Sequence, residues 1–123
     1  MASFPWFKHY PKGTPETIGA YEYQSLIELF EASSRKFADR VAFENFGKSM
    51  TFAEVDRLSN HFAAYLQNEL KLKKGDRIAI QMPNLLQFPI AFIGSLKAGL
   101  IVVNTNPLYT PREMEHQFND AGI

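Results

Sequence analysis

The chain has 123 residues, enough for one domain with a core of its own, and its 46% hydrophobic and 21% charged residues lie in the ordinary globular range. Thirteen basic and thirteen acidic residues cancel and are well mixed, which removes the electrostatic case for a nucleic-acid partner. The absence of cysteine excludes disulfides and thiolate metal sites and fits a reducing cytoplasm.

Residues 1–24 read as an N-terminal arm in which Phe4, Trp6, Phe7, Tyr10, Tyr21 and Tyr23 alternate with Pro5, Pro11, Pro15, Gly13 and Gly19. It has no apolar stretch of the kind that opens a secretory signal. One reading is an extended arm that lays its rings on its own domain. The other is a membrane-interface contact through Phe4, Trp6, Phe7 and Lys8, where amphipathic rings and basic groups are favoured.

Helix starts are readable from capping pairs. Ser25 with Glu28, Thr51 with Glu54, and Thr110 with Glu113 match the box in which a hydroxyl and a carboxylate satisfy each other's end of the first turn. Pro111 follows Thr110 at the first helical position, where a missing N–H costs nothing. Asn84 with Gln87 is a weaker pair, because Pro89 would delete a backbone bond in a helix begun at Asn84. Apolar stripes agree: Leu26, Phe30 and Phe37 in the first helix, then Val55, Leu58, Phe62 and Leu66 in the second. A third helix, roughly Leu85 to Ala98, is apolar nearly all round, which predicts protein on both sides of it.

Strands fill the gaps. Val41–Glu44 and Ser49–Phe52 flank a hairpin turn at 45–48. Arg77–Met82 alternates, and Leu100–Val103 is a continuous run of the kind a parallel strand shows when both faces are covered. The fold expected is α/β, a β-hairpin followed by a βαβα parallel-sheet unit. The pattern reaches Ile123 where another strand would follow, with Gly122 placed as a helix C-cap, so the expectation is a truncated piece of a larger domain. The run from Ile78 to Leu96 carries no charge, but Gln81, Pro83, Asn84, Gln87 and Pro89 interrupt it and no membrane span is expected.

Several motifs have bland readings. Gly47-Lys48-Ser49 copies the tail of a phosphate-binding loop, yet Ala42 stands where the leading glycine should be and a strand follows. Lys71-Leu72-Lys73-Lys74-Gly75-Asp76-Arg77 reads as a solvated turn between a helix C-terminus and a strand. His9, His61 and His116 have no partners at ligand spacing, and no nucleophile elbow occurs. The loop Asn104–Thr110 follows the C-terminal end of a strand, where open α/β sheets place ligands; it also serves as loop-to-helix punctuation.

At that loop the sequence resembles the adenylate-forming acyl-CoA synthetases, and among them the bacterial long-chain fatty-acid–CoA ligases. The resemblance rests on Lys73-Lys74-Gly75-Asp76-Arg77, Met82-Pro83-Asn84-Leu85-Leu86-Gln87, Ala98-Gly99, Asn106-Pro107-Leu108-Tyr109-Thr110-Pro111-Arg112-Glu113 and Asn119-Asp120-Ala121-Gly122. Tyr10-Pro11, Tyr23-Gln24-Ser25-Leu26 and Met50-Thr51-Phe52 extend it upstream. It implies a parent enzyme that uses ATP, Mg²⁺ and coenzyme A to activate a long-chain fatty acid, with residues 25–123 as the first part of its large domain.

None of the family's catalytic, cofactor-binding or metal-binding motifs maps onto a position here, so the chain alone is expected to be inactive. Unpaired faces are expected to make it dimerise or swap segments. A cytoplasmic protein, peripheral at the inner face of the cell membrane, is the expected setting. The competing readings are a ligase for an aryl or medium-chain acid, and a non-catalytic α/β module that binds an apolar ligand or a protein partner.

Overall fold

The computed structural model describes residues 4–123. After a 3₁₀ turn at Phe7–His9 come helix α1 (Leu26–Lys36), the hairpin β1 (Val41–Asn45) and β2 (Lys48–Thr51), and helix α2 (Phe52–Asn68). Strand β3 (Arg77–Ile80), helix α3 (Gln87–Lys97), strand β4 (Ile101–Asn104) and helix α4 (Pro111–Ala121) follow. β1 and β2 pair antiparallel, and β3 and β4 form a separate parallel pair in the register Arg77 opposite Ile101 to Ile80 opposite Asn104. This is the α/β arrangement expected, a hairpin and then a βαβα unit.

The helix starts form as their caps require. Thr51 accepts from the Glu54 amide at 3.2 Å while the Glu54 carboxylate accepts from the Thr51 amide at 2.8 Å. Thr110 and Glu113 repeat the pair, with Pro111 at the first position. Only half of the box forms at α1. Ser25 accepts from the Glu28 amide, but the Glu28 carboxylate accepts from the amide of Gln24, one residue before the cap. α2 gains two more anchors, since the amides of Phe52 and Ala53 donate to the carbonyls of Arg40 and Ala38.

The third helix differs from expectation at its start. It begins at Gln87, and no side chain caps it. Pro89 thereby falls on the third helical position, where an N–H has no intrahelical acceptor, so the ring costs no hydrogen bond. The Asn84 carbonyl instead accepts from the side chain of Asn45 at 2.7 Å, tying the hairpin to the loop before α3.

The core lies where α2, α3 and the parallel strands meet. Leu66, Ala63, Ala98 and Leu100 cluster there with Phe62, Leu72 and Ile78 packed against them. Full burial of a side chain such as Leu66 contributes roughly 1.5–3 kcal/mol. α2 and α3 approach closely because small residues face each other: Ser59 and Ala63 on one helix, Ala91, Gly94, Ser95 and Ala98 on the other, all buried. A Cβ at Gly94 would lie 2.8 Å from the Ser59 carbonyl oxygen. Both buried hydroxyls are satisfied within their own helices, Ser59 donating to Asp56 and Ser95 to Ala91.

Two expectations of full coverage are not met. Ile101 on β4 is 50% exposed, because no described element covers that face of the parallel pair. α3 has protein on its α2 side, but its other side, with Phe88, Phe92 and Leu96, borders an open groove. β3 is also shorter than the alternation suggested and ends at Ile80.

Candidate functional site

The loop after β4 is built by its own polar residues. The Thr105 amide extends the parallel ladder by donating to the Ile80 carbonyl at 3.0 Å. The Asn106 side chain then accepts from the Leu108 amide at 3.0 Å and its carbonyl from the Tyr109 amide at 3.1 Å, a local turn that needs asparagine chemistry. Gln81, just past β3, donates to the Asn106 carbonyl at 3.3 Å, and Gln117 on α4 donates to the Asn104 carbonyl at 3.2 Å. The ends of both strands, the loop and α4 are thus locked together.

This junction is where an open α/β sheet presents ligands. Thr105 is only 4% exposed, and its Oγ1, like the buried Oε1 of Gln117, has no hydrogen-bond partner. Beside it, a hollow of about 570 Å³ is lined by Tyr109, Arg112, Glu113, His116, Gln117 and Asp120. Glu113 lies below the ordinary carboxylate range because the hydroxyl and amide of Thr110 donate to it, and Glu54 is lowered in the same way by the amide and hydroxyl of Thr51. Both carboxylates serve caps. Sequence reasoning located this loop, Thr105 within it, but not Gln117, whose bond to the Asn104 carbonyl depends on how α4 folds back over the strand ends.

A second feature is the apolar groove between α1, the hairpin and α3. It measures about 580 Å³, and Phe30, Phe43, Phe52, Phe88, Phe92 and Leu96 are among its lining residues. It could not be foreseen, because its walls come from elements separated by the whole of α2.

Four aromatic residues near the N-terminus, Phe4, Trp6, Phe7 and Tyr10, pack on one another. Phe4 stacks on Trp6 at 4.6 Å between ring centroids, and Phe7 meets Phe4, Trp6 and Tyr10 edge-on at 5.5, 6.2 and 5.5 Å. Phe4, Trp6, Lys8 and Tyr10 stay exposed, and only Phe7 is half-buried.

The remaining motifs lie in turns and on exposed helix faces. Gly47 has φ 71° in the two-residue hairpin turn and Gly75 has φ 93° in the turn before β3. His61 and His116 are exposed. Among the described residues no group of three or more His, Asp or Glu converges to hold a metal ion, and no helix is long and apolar enough to cross a membrane.

Comparison with known proteins decides the family, since the profile of the AMP-binding enzymes matches residues 30–123. The chain belongs to the AMP-binding enzyme family. The long-chain-fatty-acid–CoA ligase of Salmonella typhimurium is 57% identical over 117 residues, 95% of this chain and 21% of that protein. The ligase of the same name from Bacillus subtilis is 39% identical over 119 residues, 97% of this chain and 21% of its own length. Among solved structures, the N-terminal subdomain of Klebsiella oxytoca NpsA superposes with a TM-score of 0.77 at 28% identity, covering 81% of this chain and 26% of that one. The chain therefore spans about a fifth of the length of the curated relatives it matches. Within this AMP-binding enzyme stretch, the side chains present do not fit nucleotide phosphates with a divalent ion. Gly47-Lys48-Ser49 is taken up by a hairpin, and the described carboxylates do not converge.

Proposed function

We propose that this chain opens the large domain of an AMP-forming ligase that joins a long-chain fatty acid to coenzyme A. Residues 1–24 form a separate arm and residues 25–123 begin the domain. The supporting observation is that the match to long-chain ligases, 57% and 39% identical, covers 95% and 97% of this chain. That loop's hydrogen bonds use the very residues, Asn106, Thr110 and Glu113, that carry the resemblance.

On this reading the whole protein converts fatty acid and ATP, with Mg²⁺ on the phosphates, to an acyl-adenylate and pyrophosphate. Transfer of the acyl group to the coenzyme A thiol then releases AMP. Stabilising charge on the phosphates and excluding water from the mixed anhydride are the physical requirements, and those groups are assigned to the rest of the protein. The contribution of this stretch is structural, a rigid strand-end junction and an apolar face for the remainder of the domain. The setting is the cytoplasm, with a peripheral contact on the membrane from which a long-chain acid is drawn.

The test is acyl-CoA formation. The longer polypeptide containing this stretch is expected to convert palmitate, ATP and coenzyme A to palmitoyl-CoA, AMP and pyrophosphate, whereas the 123-residue chain alone is not. Failure of the longer polypeptide on every long-chain acid would overturn the reading, and activity of the short chain would overturn the division of labour.

A further inference from the structure

The arm exposes more apolar surface than a solvated linker needs. Phe4, Trp6 and Tyr10 are 48%, 51% and 40% exposed even after stacking on one another. Their backbone is not loose. The amides of Phe7, His9, Tyr10 and Thr14 each donate three residues back at 3.0–3.1 Å, so the rings are presented by a succession of closed turns. An aromatic cluster held in shape and left this exposed marks an interaction surface.

Charge identifies the partner. Lys8, His9 and Lys12 lie among these rings, and no acidic residue precedes Glu16. Lys8 and Lys12 are exposed and neither forms an ion pair among the described residues. Farther along the arm, Ile18 and Tyr21 are also exposed, but Glu16 and Glu22 flank them. Trp and Tyr are the rings that settle at the headgroup level of a bilayer, where basic side chains meet anionic lipid. A protein groove would satisfy the rings, but it would not account for a segment whose only formal charges are positive.

We propose that Phe4–Lys12 is the membrane-contact element of this protein, with Phe4, Trp6 and Phe7 entering the interface of an anionic phospholipid bilayer and Lys8 and Lys12 on its headgroups. This names the surface for the peripheral contact in the function proposed above and rests on that reading only for its purpose. The binding itself is independent of catalysis. The acidic second half of the arm stays in water and links the contact to α1.

Trp6 is the single tryptophan of the chain, so its emission reports this segment alone. The 123-residue chain is titrated with vesicles of phosphatidylcholine, with and without phosphatidylglycerol. With phosphatidylglycerol present, Trp6 emission is expected to move to the blue and to be quenched by brominated acyl chains. Each interfacial lysine contributes about 1 kcal/mol, so K8Q/K12Q should lower partitioning roughly 30-fold with an unchanged far-UV circular dichroism spectrum. K71Q/K73Q/K74Q, which alters the other basic cluster, should leave partitioning unchanged. F4S/F7S should weaken binding to both vesicle types.

Unmoved Trp6 emission overturns the proposal, as does equal binding to neutral vesicles. So does binding abolished by the Lys71–Lys74 variant in place of the Lys8/Lys12 variant, which would put the contact elsewhere. Cosedimentation with vesicles but without quenching of Trp6 has the same consequence. None of these outcomes touches the ligase reading, which stands or falls on acyl-CoA formation.

Discussion

Lys97 and Asp56 form an ion pair between α3 and α2 with Nζ 2.6 Å from Oδ1, and the lysine side chain is only 7% exposed against 35% for its partner. Nζ also donates to the Asn60 side chain at 2.7 Å and lies 5.5 Å from the centre of the Phe30 ring. One cation thus ties α3 to both α2 and α1. The asymmetry of burial sets an order for substitutions. Asp56→Ala strands a buried ammonium and should cost about 2–4 kcal/mol, whereas Lys97→Met leaves a half-wet carboxylate and should cost about 1–2 kcal/mol. Urea denaturation of both variants checks the ordering.

Gly94→Ala should destabilise by about 1–3 kcal/mol, since the new methyl would stand 2.8 Å from the Ser59 carbonyl and 3.0 Å from the Phe62 ring. The obstruction is backbone, so the helices must separate. The same measurement on Gly47→Asn, at a glycine with open space around it, should give a much smaller loss.

Phe46→Asn should stabilise. Phe46 has φ 49° in the hairpin turn and is 93% exposed, so its ring buries almost nothing in return for a left-handed backbone. Asparagine before glycine is the preferred pair in such a turn. A gain of about 0.5–1 kcal/mol, seen as a raised melting temperature, is expected. A lower one would mean the ring has a role in folding.

Acid should weaken the caps. Glu54 and Glu113 titrate below the ordinary range in the folded chain, because each carboxylate accepts from its capping threonine. Groups lowered in this way stabilise the fold above their unfolded value, about pH 4.3, and lose that contribution as pH falls through the depressed native value. The E54Q/E113Q variant should therefore show a flatter decline of melting temperature from pH 5 toward pH 2 (about one such range of titration) than the unaltered chain.

The isolated chain should self-associate. An apolar groove of about 580 Å³ and a parallel pair of strands without outer neighbours among the described residues leave surfaces that drive association. Light scattering across a wide concentration range should give a mass above one chain. Phe92→Ser, within the groove, should reduce it.

How much of this was legible depends on distance along the chain. Thr51 with Glu54, Thr110 with Glu113, and Gly122 in its left-handed C-cap closed as read, because each hydrogen-bond loop spans four residues or fewer. Glu28 slipping to the Gln24 amide shows the limit even there, since two neighbouring donors compete for one carboxylate. The loop after β4 was legible as a strand-end feature for the same local reason.

The amino-acid sequence by itself determined where α1, α2 and α4 start, which segments are strands, where the chain turns and which family it resembles. Only the tertiary structure decided that Lys97 would be buried against Asp56, that Gly94 would meet Ser59, that α3 would start at Gln87 and that its outer side would border a groove. The physical reason is that caps and turns are satisfied by neighbours in the chain. A partly buried ion pair spanning 41 residues, or a helix contact set by the absence of one methyl group, exists only once the path of the chain has brought its members together.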